Sequence, residues 1–196
     1  MLATGMHAQP GVYALLLGSG VSSAAGIPTG WGVIKELVRR AAAAQDPTDP
    51  DAAARAVESD AAVEQWWADH GDGEPPGYSN LLASLAPTPA ARQALLAGFF
   101  EPTEEESDAG FKVPTPAHHA IAQLAKRGYV RVILTTNFDR LMERALEEAG
   151  VPPQVLSRPE VTAAITPLPH AGVTVVKIHG DYIDLLMRNT VEELSE

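Results

Sequence analysis

One segment of the chain joins an apolar run to a glycine-rich turn. It reads Tyr13-Ala-Leu-Leu-Leu-Gly18-Ser-Gly20-Val-Ser22-Ser-Ala-Ala-Gly26-Ile27-Pro28. An apolar run that ends at glycine predicts a strand buried on both faces, as in a parallel sheet. Gly18 and Gly20 allow a tight turn and the close approach of a ligand to the backbone. Ser22 is predicted to open a helix whose N-terminus suits a phosphate, so the segment predicts a dinucleotide-binding loop.

This turn departs from two common nucleotide-binding motifs. Ser23 replaces the third glycine of the dehydrogenase pattern G-x-G-x-x-G. No acidic residue follows at a strand end about 20 positions later, because Glu36 falls within a predicted helix. The chain also lacks the triphosphatase motif G-x-x-x-x-G-K-[ST]. A dehydrogenase and a triphosphatase are therefore disfavoured, and a plain strand-to-helix turn is the alternative interpretation.

The composition excludes several classes of function. The net charge is −11, with 25 acidic and 14 basic residues among 196, whereas a surface that binds nucleic acid needs clustered Lys and Arg. No segment approaches the ~18 apolar residues of a membrane helix, and the first ten residues do not resemble a secretory signal. The absence of cysteine rules out disulfides and thiolate metal sites. We expect a cytoplasmic protein that binds neither nucleic acid nor membranes.

Helical and strand patterns alternate along most of the chain. A helix is predicted over Trp31 to Ala44, and another begins at Thr115-Pro116 and ends at Gly128. Further strands are predicted at 129–134, 154–156 and 173–178, with a helix between the first two. This order predicts an α/β fold: a Rossmann-like parallel sheet with helices on both faces.

Polar or glycine-bearing motifs follow three of the predicted strands. They are Gly18-Ser-Gly20, Thr135-Thr-Asn137-Phe-Asp139 and His179-Gly180-Asp181. Ligands of open parallel sheets bind outside the carboxyl ends of the strands. We therefore expect these three motifs to converge on one site, although Asn137 and Asp139 could instead only cap the next helix, and His179 could be a hydrogen-bonded core histidine.

The region from about residue 45 to 110 contains no predicted strand. Helices are predicted at 51–69, 81–85 and 90–100, a loop at 71–77, and a solvated, mobile acidic loop over Glu101 to Asp108. We interpret the region as a helical insertion that lies beside the site and acts as a cover or an assembly surface. His118 and His119 leave a helix in different directions, so we expect no shared metal and one of them in solvent.

Three motifs, taken in order, resemble those of the sirtuin superfamily. They are Gly18-Ser-Gly20-Val-Ser22 with Gly26-Ile27-Pro28, then Thr135-Thr-Asn137-Phe-Asp139, then Lys177-Ile-His179-Gly-Asp181. The similarity covers roughly residues 12–44 and 113–196. Within the superfamily, the sequence is more specifically similar to the sirtuin-like domains of bacterial defence proteins, which consume NAD. It implies that residues 1–196 form the N-terminal part of a sirtuin-like NAD-binding domain, with the helical insertion at about 45–110.

The resemblance also implies a role for each motif residue. His179 would be the catalytic base and Asn137 would lie at the nicotinamide ribose. The residues implied to bind NAD are Gly18, Ser19, Gly20, Ser22, Gly26, Ile27, Pro28, Thr136 and Asp139, the last of them near the nicotinamide amide. These residue types suit the chemistry, because nicotinamide is a cationic leaving group and its cleavage needs orientation, stabilisation of an oxocarbenium-like transition state and a base near neutral pH.

Two departures separate this sequence from deacylase members of the superfamily. Those members carry a four-cysteine zinc module, whereas this chain has no cysteine, and they follow Gly-Ile-Pro with Asp-Phe-Arg, whereas this chain has Thr29-Gly30-Trp31. We therefore expect no structural zinc or other metal, and NAD hydrolysis to nicotinamide and ADP-ribose, in antiphage defence. The alternatives are a module that senses NAD or ADP-ribose without turnover and an interaction subunit with an incomplete site.

The last part of the sequence lacks one further motif of the superfamily. No Gly-Thr/Tyr-Ser strand end, which holds the adenosine half of NAD in that family, follows His179. A helix is predicted to start near Thr190. We expect a truncated domain that alone binds NAD weakly and turns it over negligibly. We also expect it to self-associate or to require a further C-terminal domain or partner chain.

Overall fold

The computed structural model describes residues 2–71, 81–82, 85–158, 166–168 and 170–183. They divide into two compact units. The first takes in the described residues of Met1–Ile27 and Phe100–Met187, and the second takes in those of Pro28–Phe99. The predicted loop at 71–77 after its first residue, and the predicted helix near Thr190, lie outside the described residues.

The described strands, and the helices between them at 116–126 and 141–148, follow one another in the predicted order, whereas the first helix, Leu2–Ala8, was not predicted. The helices are α1 (Leu2–Ala8), α2 (Gly20–Ser23), α3 (Gly30–Gln45), α4 (Ala52–Arg55), α5 (Asp60–His70), α6 (Pro89–Phe100), α7 (Glu104–Asp108), α8 (Pro116–Lys126) and α9 (Leu141–Glu148). The strands are β1 (Tyr13–Leu17), β2 (Val130–Thr135), β3 (Gln154–Leu156) and β4 (Thr174–Lys177). The strands form one parallel sheet in the order β1-β2-β4-β3. The predicted α/β, Rossmann-like fold is confirmed.

The core of the first unit lies between the sheet and helices α8 and α9. Val130, Ile133 and Val175 from the two central strands are fully buried, and Ala145 and Leu146 of α9 pack into the same cluster. The helical spacing of apolar residues in α9 supplies this contact. Both helices end where a glycine adopts a positive φ, at Gly128 and Gly150. The predicted buried strand at 173–178 is confirmed as β4.

Strand β1 is less buried than the sequence predicted. Its side chains alternate between half-buried and exposed, and Leu16 is 71% exposed. The prediction of a strand buried on both faces is therefore wrong. β1 lies at one edge of the described sheet, and only Leu15 and Leu17 pack against the core cluster. Because successive side chains of a strand point to opposite faces, Leu16 faces away from that core.

The described residues of the second unit are helical. Helix α3 buries Val33, Leu37, Val38 and Ala42, which confirms the helix predicted over Trp31 to Ala44. The single helix predicted over 51–69 is wrong, because the segment forms two helices, α4 and α5, and Ser59 caps the second one. Helix α6 confirms the helix predicted over 90–100, and no strand occurs in the described part of 45–110.

The acidic run is not a loop throughout, as the sequence predicted. Residues Glu104–Asp108 form helix α7, which begins with a capping box between Thr103 and Glu106. Glu106 also pairs with Lys112, with Nζ 2.8 Å from Oε1. Three glutamates occupy the first turn of the helix, where the partial positive charge of a helix N-terminus favours them. Local capping therefore orders a segment whose net charge suggested a solvated loop.

Across the part of the chain that the structure describes, no helix is long and apolar enough to cross a membrane.

Candidate functional site

Three adjacent strands end at one edge of the sheet. Leu17 of β1 pairs with Thr135 of β2, and Thr135 pairs with Lys177 of β4. The next residues leave the sheet together: the Thr136 N–H donates to the Leu17 carbonyl over 3.1 Å, and the Ile178 N–H donates to the Thr135 carbonyl over 2.8 Å. The three motifs predicted to converge therefore follow the carboxyl ends of three neighbouring strands, on the same side of the sheet.

The glycine-rich turn leads into a single turn of helix. Helix α2 begins at Gly20 and ends at Ser23, so the prediction that Ser22 opens the helix is wrong in position. Ser19 precedes the helix without a side-chain cap. A Cβ added at Gly20 would meet no atom within 4 Å, and one at Gly18 would meet only Thr136 Oγ1 at 3.9 Å. The packing of the protein therefore does not require glycine at position 20.

Backbone conformation and packing explain part of the Gly26-Ile27-Pro28 motif. Gly26 has a φ of +76°, and a Cβ there would lie 2.6 Å from the Phe111 ring. Backbone conformation and packing thus both require glycine at this position. Ile27 is buried in the core, and Pro28 begins the second unit.

Ser22 and Asn137 meet in the interior of the site. The Asn137 side-chain amide donates from Nδ2 to Ser22 Oγ over 3.2 Å, while its backbone N–H donates to Thr135 Oγ1 over 3.0 Å. Ser22 is fully buried and Asn137 is 9% exposed. These bonds leave the Asn137 side-chain oxygen, Oδ1, buried without a hydrogen-bond partner among the described residues.

His118 also lies against Ser22, a contact that the sequence analysis missed. Its Nε2 is 3.5 Å from Ser22 Oγ, and the residue is completely buried. Its Nδ1 accepts the Thr115 backbone N–H over 3.2 Å and lies 2.8 Å from Thr115 Oγ1. Because an accepting Nδ1 carries no proton, the neutral ring carries its proton on Nε2, which points to Ser22.

The burial of His118 favours its neutral form. Burial lowers the pKa of the imidazole, the carboxylate of Asp139 opposes that shift and His119 adds to it. His119 is half exposed, which confirms that one histidine of the pair faces solvent. The sequence carried one signal for His118, its position three residues after the N-cap Thr115, where its side chain completes a capping box.

Asp139 and His179 have different surroundings. Asp139 is buried and its Oδ1 accepts the N–H of Leu141, the first residue of α9, over 3.0 Å, although the N-cap position itself is occupied by Arg140. His179 is exposed, and its ring centroid lies 6.3 Å from that of Phe138. In the described part of the chain no hydrogen bond joins His179 to Asn137 or Ser22. Gly180 then turns the chain with a φ of +86°.

Within the described residues, no group of three or more His, Asp or Glu side chains could hold a metal ion.

Comparisons with known proteins agree on one family. A family model described as a SIR2-like domain matches residues 131–193, a range that includes Asn137 and His179. A relative from Archaeoglobus fulgidus, described as NAD-dependent protein deacylase 2, is 45% identical over 47 residues. That match covers 24% of this chain and 19% of the relative's length.

Proposed function

We propose that a complete version of this domain hydrolyses NAD to nicotinamide and ADP-ribose, because the chain carries a sirtuin-like domain on a Rossmann-like fold, a domain type that implies use of NAD. Asn137 and His179 are the proposed catalytic residues. Gly18, Ser19, Gly20, Ser22, Thr136 and Asp139 line or support the proposed NAD site, and Gly26, Ile27 and Pro28 shape the segment behind the glycine turn.

The observation that carries this proposal is the unpartnered oxygen of Asn137. A buried acceptor without a hydrogen bond costs about 1–3 kcal/mol, and Asn137 Oδ1 is such an acceptor at the edge where three parallel strands end. A ribose hydroxyl or a water molecule would supply the missing donor. Ser22 holds the amide by its nitrogen end, so the oxygen is the end that lacks a hydrogen-bond donor among the described residues.

The proposed reaction breaks the bond between the ribose carbon C1′ and the nicotinamide nitrogen. The bonding electron pair leaves with nicotinamide, which becomes neutral, and a water oxygen forms the new bond to C1′. The water proton passes to His179 and then to solvent, which the exposed position of this imidazole allows. Asn137 orients the ribose or the water, so that the charge that develops on the sugar is met by a fixed dipole.

Water rather than acyl-lysine is the proposed acceptor of the ADP-ribosyl group. The relative from Archaeoglobus fulgidus is described as a deacylase, and the superfamily resemblance associates deacylation with a four-cysteine zinc module. This chain contains no cysteine. An acyl-lysine peptide added to the assay tests this step, because a deacylase would convert the peptide and a hydrolase would not.

A nicotinamide-release assay tests the proposal directly. The purified natural full-length protein is incubated with NAD, and nicotinamide and ADP-ribose are quantified by chromatography. His179→Ala and Asn137→Ala should each lower turnover by about a hundredfold or more, the usual range for an acid–base group, while Lys126→Ala, on an exposed helix end, serves as the control. Full activity in both site variants would contradict the mechanism.

A module that binds NAD or ADP-ribose without turnover is the second candidate. The same unpartnered Asn137 oxygen would serve binding alone, and the exposed His179, which has no described hydrogen bond to Asn137, favours this alternative. Micromolar binding of NAD by the natural full-length protein, together with no nicotinamide release from it, would establish this alternative.

A cellular role in antiphage defence rests on the resemblance to defence-associated sirtuin-like domains. Cytoplasmic depletion of NAD would then stop phage replication. Self-association or a further domain or partner chain belongs to this proposal as well. Bacteria that express the natural full-length protein should resist phage and lose NAD on infection, and cells with the His179→Ala protein should do neither.

A further inference from the structure

Lys177 lies at the end of β4, and its side chain is completely buried. Its ammonium group donates to two backbone carbonyls of the loop after β2, that of Phe138 over 3.0 Å and that of Asp139 over 2.7 Å. It also lies 3.1 Å from Asp181 Oδ2, in the loop after β4. A single buried ammonium therefore contacts the two loops that carry the proposed catalytic residues.

The surrounding charges balance that ammonium. Glu143, in the first turn of α9, places Oε1 3.2 Å from Lys177 Nζ, and Arg140 places Nε 3.6 Å from Asp181 Oδ2. Lys177, Glu143 and Asp181 are thus buried together, and Arg140, whose side chain is 36% exposed, adds a second cation beside Asp181. Burial raises the pKa of Glu143, while Lys177 opposes that shift. Because an unpaired buried charge is strongly unfavourable, each member is held in place by the others.

We propose that Lys177 is a positioning residue, which fixes the loop after β2, with Asn137, against the loop after β4, with His179. Asn137 and His179 share no direct hydrogen bond in the described part of the chain, so their separation has to be set by the backbone of the two loops. A lysine suits this task because its ammonium has three donors that can face several acceptors at once. The catalytic consequence rests on the proposed NAD hydrolysis, whereas the structural consequence does not.

The structural consequence is tested by hydrogen exchange on the unliganded protein. Lys177→Met keeps the length of the side chain and removes its donors. We expect the amides of Asn137, Leu141, Gly180 and Tyr182 to exchange at least tenfold faster, while amides of α8 and β3 keep their rates. Lys126→Met, at an exposed position, is the matched control and should change nothing. Unchanged exchange in both loops of Lys177→Met would overturn the proposal.

A second variant covers the case in which Lys177→Met does not fold. Asp181→Asn keeps the size of the side chain and removes the ion pairs of Asp181 with Lys177 and Arg140. The bonds from Lys177 to the carbonyls of Phe138 and Asp139 remain. We expect faster exchange at residues 179–183 and unchanged exchange at residues 136–139. Equal acceleration in both loops would contradict the separate roles assigned to the two sets of contacts.

The catalytic consequence is tested by kinetics. If Lys177 acts through the placement of Asn137 and His179, Lys177→Met should lower kcat by about a hundredfold and change KM by less than threefold. In a His179→Ala background the same change should cost less than threefold, because the group that it positions is already absent. A full additional loss in that background would indicate general structural damage and overturn the proposal. Absence of nicotinamide release from the natural full-length protein would refute the proposed function but not the structural role of Lys177, which the exchange experiment decides.

Discussion

At the scale of single residues, the site depends on hydrogen bonds that select one orientation of each side chain. The sequence pattern predicts only that Thr115 caps α8. In the structure Thr115 also fixes which nitrogen of His118 carries the proton. That proton faces Ser22, which in turn receives the amide of Asn137. A neutral His118 is therefore part of the arrangement that presents the Asn137 oxygen.

His118 should make the stability of the protein depend on pH. Burial lowers its pKa below the ordinary value of 6.5, so below pH 6.5 the unfolded chain takes up a proton that the folded protein does not. The stabilisation is complete above pH 6.5 and is lost as the pH falls through the folded pKa, by up to about 1.4 kcal/mol per pH unit. Urea unfolding at pH 7 and pH 5 measures this loss.

His118→Gln retains a donor toward Ser22 but does not titrate, so its stability should fall less between pH 7 and pH 5 than that of the wild type. His119→Gln removes the exposed neighbour and should behave like the wild type. An equal fall in His118→Gln would show that other groups cause the pH dependence.

At the scale of elements, the glycine-rich turn between β1 and α2 contains a glycine, Gly20, that the packing of the protein does not require. Gly26 is required by its positive φ and by Phe111, whereas Gly20 has open space where a Cβ would lie. A glycine that the fold does not require is consistent with the close approach of a ligand. A substitution at position 20 can therefore distinguish a ligand-binding turn from a plain strand-to-helix turn.

Gly20→Ala should leave the fold intact and weaken binding of ADP-ribose at least tenfold. Alanine is a better helix former than glycine, and at a compatible position such a change stabilises a protein by about 0.4–1 kcal/mol. Calorimetric titration with ADP-ribose gives the affinity, and thermal unfolding gives the stability. Gly172→Ala, another glycine with no atom near the added Cβ, is the control. Unchanged affinity in Gly20→Ala would favour the plain turn.

At the scale of the whole molecule, the two units carry different kinds of residue. The first unit contains the parallel sheet and every proposed site residue except Pro28. The described residues of the second unit are helices without any of the catalytic motifs. Its proposed place beside the site, as a cover or an assembly surface, stays a prediction.

Binding of ADP-ribose should therefore protect the first unit from hydrogen exchange. At a ligand concentration of 100 times Kd, binding stabilises the folded state by about 2.7 kcal/mol, which corresponds to roughly a hundredfold slower exchange of amides that open only on unfolding. We expect this slowing at β2 and β4 and not at α3 or α5. Slowing of the same size in α3 would show that the two units unfold together, and no slowing at β2 would argue against the site.

The sequence by itself determined the order of the strands, the parallel sheet and the convergence of three motifs at the carboxyl ends of three strands. Each of these follows from local patterns, because apolar runs, N-caps and glycines act on their own neighbours and parallel strands end at the same side. Capping also explains the error at Glu104–Asp108, where a Thr103–Glu106 box outweighed the charge of the run.

The tertiary structure alone decided which side chains meet. The bond from Asn137 to Ser22 joins residues 115 positions apart, and the contact of Ser22 with His118 joins residues 96 positions apart. The donation from Lys177 to the Asp139 carbonyl spans 38 positions. The exposure of Leu16 likewise depends on the place of β1 at the sheet edge. Such contacts leave no periodic signal in the sequence, because they depend on how the elements pack rather than on the residues beside them.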